Sequence, residues 1–160
     1  MEAAAIYERL KGLFGDSVLE FKEVNGDPFV VVESSRIADI ARHLKEEQEL
    51  CFDSLICLSA VDSADRYSVV YHLYSLKQRH RLVVKAHVAK DTPHLPSVQS
   101  VWRAANWHER EGAELFGVVF QGHPNPKPLL LWEGFEGYPL RKDYPFYDYF
   151  AEEGIPAPQH

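Results

Sequence analysis

Apolar positions along the chain fall into distinct periods. Ile6, Leu10, Leu13 and Phe14 recur at helical spacing and Gly15 follows as a stop, which predicts a first helix. Two strand-like runs, 18–24 and 29–33, flank Asn25-Gly26-Asp27-Pro28. Asn-Gly suits a tight turn, so these runs predict a hairpin. Ser34 and Ser35 can cap a second helix with Ile37, Ile40, Ala41 and Leu44 on its apolar face. The run 54–61 is apolar on both faces and is expected to be a central strand. The next two runs alternate: Tyr67, Val69, Tyr71 and Leu73 share one face of 66–75, and Leu82, Val84, Ala86 and Val88 one face of 81–89. The basic cluster between them, 76–80, suits a solvated hairpin turn, with a partner's acidic patch as the alternative. Beyond Pro93 and Pro96, Val98, Val101 and Trp102 predict a short helical stretch. Asn106 with Glu109 three residues later has the capping-box pattern of a further helix, which Gly117 ends.

The fold class expected is α+β: helix, hairpin, helix, a mostly antiparallel sheet and a helix, followed by an irregular C-terminal arm. Residues 1–117 would form the compact domain and 118–160 an extended docking arm rich in proline and aromatic rings. Seven of the ten prolines lie in 121–160, and eight of the nineteen residues from Trp132 to Phe150 are aromatic. Disordered segments are poor in rings. An ordered segment without regular structure needs a surface to lie on.

Charge and composition narrow the function. A net charge of −7 over 160 residues argues against a general nucleic-acid binder, which needs a basic face. The longest apolar runs, such as Phe29–Val32 and Leu129–Trp132, fall far short of the roughly 20 residues of a membrane span. The acidic, amphipathic N-terminus does not read as a signal peptide. Cys51 and Cys57 lack CxxC spacing and are too few to hold an iron–sulfur cluster, which typically takes four.

The densest polar stretch runs from Trp107 to Gly117. A helix there could bring His108, Glu111 and Glu114 near one face, with His123 following, a conceivable metal site. Against it stands ordinary ion pairing. Arg110 can meet Glu114 one turn on, or Glu109 and Glu111, and Arg141 can join them to clamp the arm to the domain. No nucleophile elbow, glycine-rich phosphate loop or dinucleotide fingerprint is visible.

Trp107, Glu109, Arg110, Glu111, Phe116 and Gly117 are followed by Gly122-His123-Pro124 and then by Pro139-Leu140-Arg141-Lys142-Asp143-Tyr144-Pro145. In order and spacing this closely resembles the 30 kDa subunit family of respiratory complex I. Departures are Glu114 where the family usually has Asp, Asn125-Pro126-Lys127-Pro128 where it commonly has Asp-Leu-Arg-Arg, and Tyr138 in place of a usual His. The resemblance implies a non-catalytic structural subunit in the hydrophilic arm of a proton-pumping NADH:quinone oxidoreductase. It implies no cofactor on this chain, within a complex that carries FMN, iron–sulfur clusters and quinone. The partners implied are the large quinone-site subunit of 49 kDa type and the iron–sulfur subunits. The place implied is the cytoplasmic side of the cell membrane, reached through the complex rather than by a span. The matching residues, with Glu114, would then serve as signature and interface. A related ferredoxin- or hydrogenase-type membrane complex is one alternative. A stand-alone metalloenzyme using His108, Glu111, Glu114 and His123 is the other.

Overall fold

A buried stripe at Ala3, Ile6 and Leu10 turns α1 (Ala3–Phe14) onto a sheet, and Gly15, at φ 54°, ends it. The computed structural model describes residues 1–24 and 27–145. β1 (Val18–Val24) and β2 (Asp27–Glu33) pair antiparallel as the expected hairpin. Its turn residues Asn25 and Gly26 lie outside the described residues, as does 146–160 of the expected arm.

The chain continues through α2 (Ile37–Glu46), β3 (Ser54–Asp62), β4 (Arg66–Ser75), β5 (His80–Ala89), β6 (His94–Pro96), α3 (Ala105–Phe116) and β7 (Val119–Gln121). The main sheet has the order β1-β2-β5-β4-β3, and β6 pairs with β7 in a separate two-stranded ladder. All pairings in the main sheet are antiparallel except β2 with β5. The fold is therefore the expected α+β class with a mixed sheet. Both alternating strands place their expected faces inward: Tyr67, Val69, Tyr71 and Leu73 on β4, and Leu82, Val84, Ala86 and Val88 on β5, are buried. They join Ile6, Leu10, Ile40, Leu44 and Trp102 in one core.

Three local expectations differ. The run 54–61 is an edge strand, not a central one. Leu55, Leu58 and Ala60 face the core, whereas Ile56 and Val61 on the other side are exposed. Ser34 and Ser35 lie in a 3-10 turn rather than at the cap of α2, because the Ser35 hydroxyl donates to the Glu33 carboxylate at 2.8 Å. Asn106 is likewise inside α3, whose capping position is Ala104 and receives no side-chain bond. Glu109 is instead turned inward to hold the preceding segment. There Val101 and Trp102 donate to the Val98 carbonyl, closing a single helical turn.

Candidate functional site

α3 and the strand after it carry the first half of the sequence signature, and the arm carries the second. Gly117 makes their junction possible. It adopts the left-handed conformation at φ 74° and closes α3 by donating to the Ala113 carbonyl. A β-carbon here would lie 2.7 Å from the Tyr138 ring and would also collide with the Arg141 guanidinium. The arm can fold back across the helix end only because this residue has no side chain.

Two side chains one turn apart on α3 then grip the arm's backbone with opposite chemistry. The Glu114 carboxylate accepts three N–H bonds, from Leu129 at 2.9 Å, Leu130 at 2.8 Å and Leu131 at 2.6 Å. Burial pushes its pKa up, but these three donors and the Arg110 charge outweigh that and hold it below the usual carboxylate range. Arg110 donates to the carbonyls of Lys127 and Pro128 at 2.8 and 2.9 Å. Its guanidinium sits 5.2 Å from the Trp107 ring centre. The expected Arg110–Glu114 pair is replaced by this division of labour. Pro126 and Pro128 offer no N–H, so the donor-rich arginine suits the carbonyl-rich segment, and the carboxylate takes the N–H groups beyond it.

Arg141 meets a carbonyl, not the expected carboxylates of 109–114. Its Nε donates to the Phe116 carbonyl at 2.7 Å, and its guanidinium stacks 4.1 Å from the Tyr138 ring and 5.3 Å from that of Tyr67. The last carbonyls of a helix lack intrahelical partners and attract a cation. Glu109 is unavailable because it is buried, and Glu111 faces solvent. Leu140 adds a backbone bond to the Leu115 carbonyl at 3.1 Å. Next along, the Lys142 N–H donates to Asp62 at 2.8 Å, and Lys90 pairs with the other Asp62 oxygen at 2.6 Å. Burial pushes the Asp62 carboxyl up, but the Lys142 N–H and Lys90 lower it further, so its pKa lies below the ordinary value. Sequence reasoning missed Asp62 and Lys90. They lie far from the signature, and nothing local marks either as an arm contact.

Gly122 of the signature, with Gly137 just before its last run, shapes the arm. Gly137 and Gly122 take positive φ, 85° and 79°. The Tyr144 ring packs 2.7 Å from where a Gly137 β-carbon would sit, and its hydroxyl donates to the Glu136 carbonyl at 3.3 Å. Pro124, Lys142, Asp143 and Pro145 are exposed. So are Trp107 at 60%, Leu130 at 61%, Trp132 at 70% and Leu140 at 54%. A shallow cavity of about 240 Å³ lies between α3, β7 and the arm, lined by Ala113, Val119, His123, Pro126 and Tyr138 among others.

Beneath it, Glu109 accepts from the Val98 N–H at 2.7 Å and from the Ser97 hydroxyl at 2.5 Å. His123 Nδ1 accepts from the Asn125 N–H at 3.0 Å, which leaves the proton on Nε2. That nitrogen lies 3.2 Å from the Asn106 carbonyl and 3.8 Å from Glu109. Burial pushes the Glu109 carboxyl up to about 7 despite its two donors. The conceived metal set is not assembled: Glu114 is committed to the arm backbone, and Glu111 faces solvent. Among the described residues no three His, Cys, Asp or Glu side chains gather as metal ligands.

Comparison with known proteins gives one consistent result. A family model described as the 30 kDa subunit of respiratory-chain NADH dehydrogenase matches residues 30–150. The second C subunit of the NADH-quinone oxidoreductase of Rhizobium meliloti (strain 1021) is 41% identical, covering 92% of this chain and 86% of that protein. The corresponding C subunit of Roseiflexus sp. (strain RS-1) is also 41% identical, covering 91% and 85%. Among solved structures, the trypsin-resistant fragment of Nqo5 superposes with a TM-score of 0.64 at 28% identity, over 75% of this chain and 98% of the fragment. A chain of the membrane-bound sulfane sulfur reductase, an archaeal respiratory membrane complex, gives 0.72 at 25% identity over 94% and 89%.

Proposed function

The chain belongs to the 30 kDa subunit family of respiratory-chain NADH dehydrogenase, and from that premise we propose that it is a structural, non-catalytic subunit of a proton-pumping NADH:quinone oxidoreductase. It sits in the hydrophilic arm of that complex, beside the large quinone-site subunit of 49 kDa type and the iron–sulfur subunits. The complex as a whole carries FMN, iron–sulfur clusters and quinone, and this chain holds the subunits of that arm together. Among the described residues no helix is long and apolar enough to cross a membrane; attachment at the cytoplasmic face, through the partners, is part of the proposal.

One observation carries this reading. Residues 127–142 are fastened to α3 and β3 through Arg110, Glu114, Arg141 and Asp62, yet hold Trp132, Leu130 and Leu140 out in water. Apolar anchors on a preorganised backbone are what a permanent interface requires. The signature residues thus build the platform; Val118 and Phe120 are packed in the core and Val119–Gln121 pairs with β6, so of the expected arm 118–160 the docking strip begins only after Gln121.

The test is co-purification of the assembled complex carrying Trp132→Ala and Leu130→Ala. If these side chains are interface hot spots, recovery of the large subunit falls, by roughly 30-fold in affinity for a loss of about 2 kcal/mol. Both positions are exposed, so thermal stability of the isolated chain should hold. Full recovery would remove the docking role from this strip. A second reading is favoured by the higher TM-score and wider coverage against the sulfane sulfur reductase chain. It keeps the structural role but places it in a related membrane complex with another electron donor, such as ferredoxin, or in a hydrogenase-type complex. NADH oxidation by the purified complex decides between them.

A further inference from the structure

The main sheet has a second surface, set by the residues that alternate with its core-facing ones. Cross-strand register builds it in rows: Phe29 lies beside Val83, then Val31, Lys85 and Val70 follow, then His87, Ser68 and Val61. Two adjoining grooves of about 590 and 380 Å³ run across it and share Phe29, Val70 and Lys85. Of the other side chains lining them, Leu19, Ile56 and Val61 are 54%, 59% and 46% exposed. This surface is not the one the arm occupies. Asp62, which receives the Lys142 N–H, is buried on the core side of β3, and its neighbour Val61 is exposed on the other. β3 thus carries the both-faces-apolar pattern of a covered strand while its outer face lies open among the described residues.

The charge of this face opposes that of the chain. Lys22, Arg66 and Lys85 line the second groove with the single carboxylate Glu20, in a protein of net charge −7. Glu20 pairs with Lys22 at 2.9 Å and Asp65 with Arg66 at 3.4 Å, but exposed pairs of this kind hold little. Lys85 meets no carboxylate among the described residues and lies 3.5 Å from the Phe29 ring centre. His87, between them, senses the balance. Burial lowers its pKa first, and the Arg66 and Lys85 charges lower it further, while Asp65 and Glu20 raise it less.

The backbone limits what can lie here. β2, β5 and β4 each have a strand on both sides, so the face offers side chains and no open row of N–H or C=O groups. A segment lying across it must satisfy its own peptide groups, and a helix does so along its length. The apolar floor suits an apolar stripe, and the basic side chains suit carboxylates beside that stripe.

We propose that this face binds an amphipathic helix of another subunit, with its apolar stripe on Phe29, Val70 and Val83 and its Asp or Glu side chains among Lys22, Arg66 and Lys85. This rests on the reading of the chain as a structural subunit. It adds a contact separate from the exposed strip of the arm, and the chemistry of what fills it.

The test compares the assembled complex with the isolated full chain. Acetylation of the Lys22 and Lys85 amines should slow at least about tenfold in the complex, as for a face uncovered about a tenth of the time or less. A carbodiimide should join Lys22 or Lys85 to an Asp or Glu of another subunit, in a sequence whose apolar residues recur at helical spacing. Arg66→Glu with Lys85→Glu should lower recovery of the complex at least about tenfold, and Arg66→Lys, which keeps the charge, should leave it level. Equal acetylation in complex and isolated chain would overturn the proposal. So would slow acetylation of both lysines already in the isolated chain, which means cover by its own residues or, where dilution relieves it, by a second copy. Protection of the isolated chain by phosphatidylglycerol vesicles, matching that in the complex, would assign the face to lipid and overturn it too. A subunit that co-purifies with its partners while Lys22 and Lys85 stay reactive defeats this contact alone and leaves the assembly role standing; a chain that joins no complex defeats both.

Discussion

Glu109 is the residue whose chemistry departs furthest from its surface character. It is fully buried and accepts bonds from Ser97 and Val98, and among the described residues no Lys or Arg pairs with it. Its carboxyl titrates at about 7 in the fold against an ordinary 4.5, because burial disfavours the charged form. The stability it contributes is therefore fully present below about pH 4.5 and lost as pH rises through 7. At about 1.4 kcal/mol per pKa unit, this amounts to at most roughly 3–4 kcal/mol. Glu109→Gln keeps an acceptor for Val98 and removes the titration. Urea unfolding at pH 5 and pH 8 should show that the loss between them is smaller in the variant than in the parent; equal losses would mean Glu109 stays ionised throughout. Tyr71 gives a second check at this scale. Its hydroxyl is buried with no hydrogen-bond partner among the described residues, so Tyr71→Phe should leave the unfolding midpoint unchanged or raised. A drop of more than about 1 kcal/mol would reveal a hidden bond.

At the scale of elements, the arm holds its path because α3 offers it both acceptors and donors. Glu114→Ala strands three backbone N–H groups and should release 127–131. Amide exchange of Leu129–Leu131 should accelerate while that of β4 and β5 stays slow; unchanged exchange would mean Arg110 alone fixes the segment. Gly117→Ala should act at the other end of the same contact. At φ 74° the new side chain is strained, by about 1–2 kcal/mol, and it meets Tyr138 and Arg141. The helix pattern, the Gly117 stop and the role of Arg141 as an arm clasp were legible in the sequence, whereas Arg110 reads there as an ion-pair partner of the helix glutamates. The partners of the two arginines were not legible. Sequence pairing rules match arginine to carboxylate, and here both arginines take backbone carbonyls, an acceptor that every residue carries and no pattern marks. The capping-box pattern misled for a related reason. Glu109 satisfies N–H groups, but those of the turn at Val98 rather than those of its own helix.

At the scale of the molecule, periodicity located the five strands of the main sheet and the inward faces of β4 and β5 but not the short β6 and β7, while the sheet order depended on contacts it does not encode. The parallel pairing of β2 with β5 inserts the hairpin beside a strand fifty residues on, and leaves β3 at the edge with apolar residues on both sides. The arm closes this assembly, joining the end of α3 to the end of β3 through two successive residues, Arg141 and Lys142. Arg141 should therefore govern docking of the whole subunit although it touches no carboxylate among the described residues. Arg141→Ala removes a charge-assisted bond of about 1.5–3 kcal/mol and stacking of about 0.5–2 kcal/mol on Tyr138 and Tyr67. Lys127 offers the contrast. Its side chain is exposed, its carbonyl still serves Arg110 after substitution, and Lys127→Ala should change stability by no more than about 0.5 kcal/mol. Recovery of assembled complex should fall at least about tenfold for Arg141→Ala, the equivalent of 1.4 kcal/mol, and stay level for Lys127→Ala. Arg141→Lys should fall between them, keeping the charge at the helix end while losing the planar stack. If Arg141→Ala and Lys127→Ala assemble equally well, the arm's course is set by Asp62 and Glu114 without Arg141.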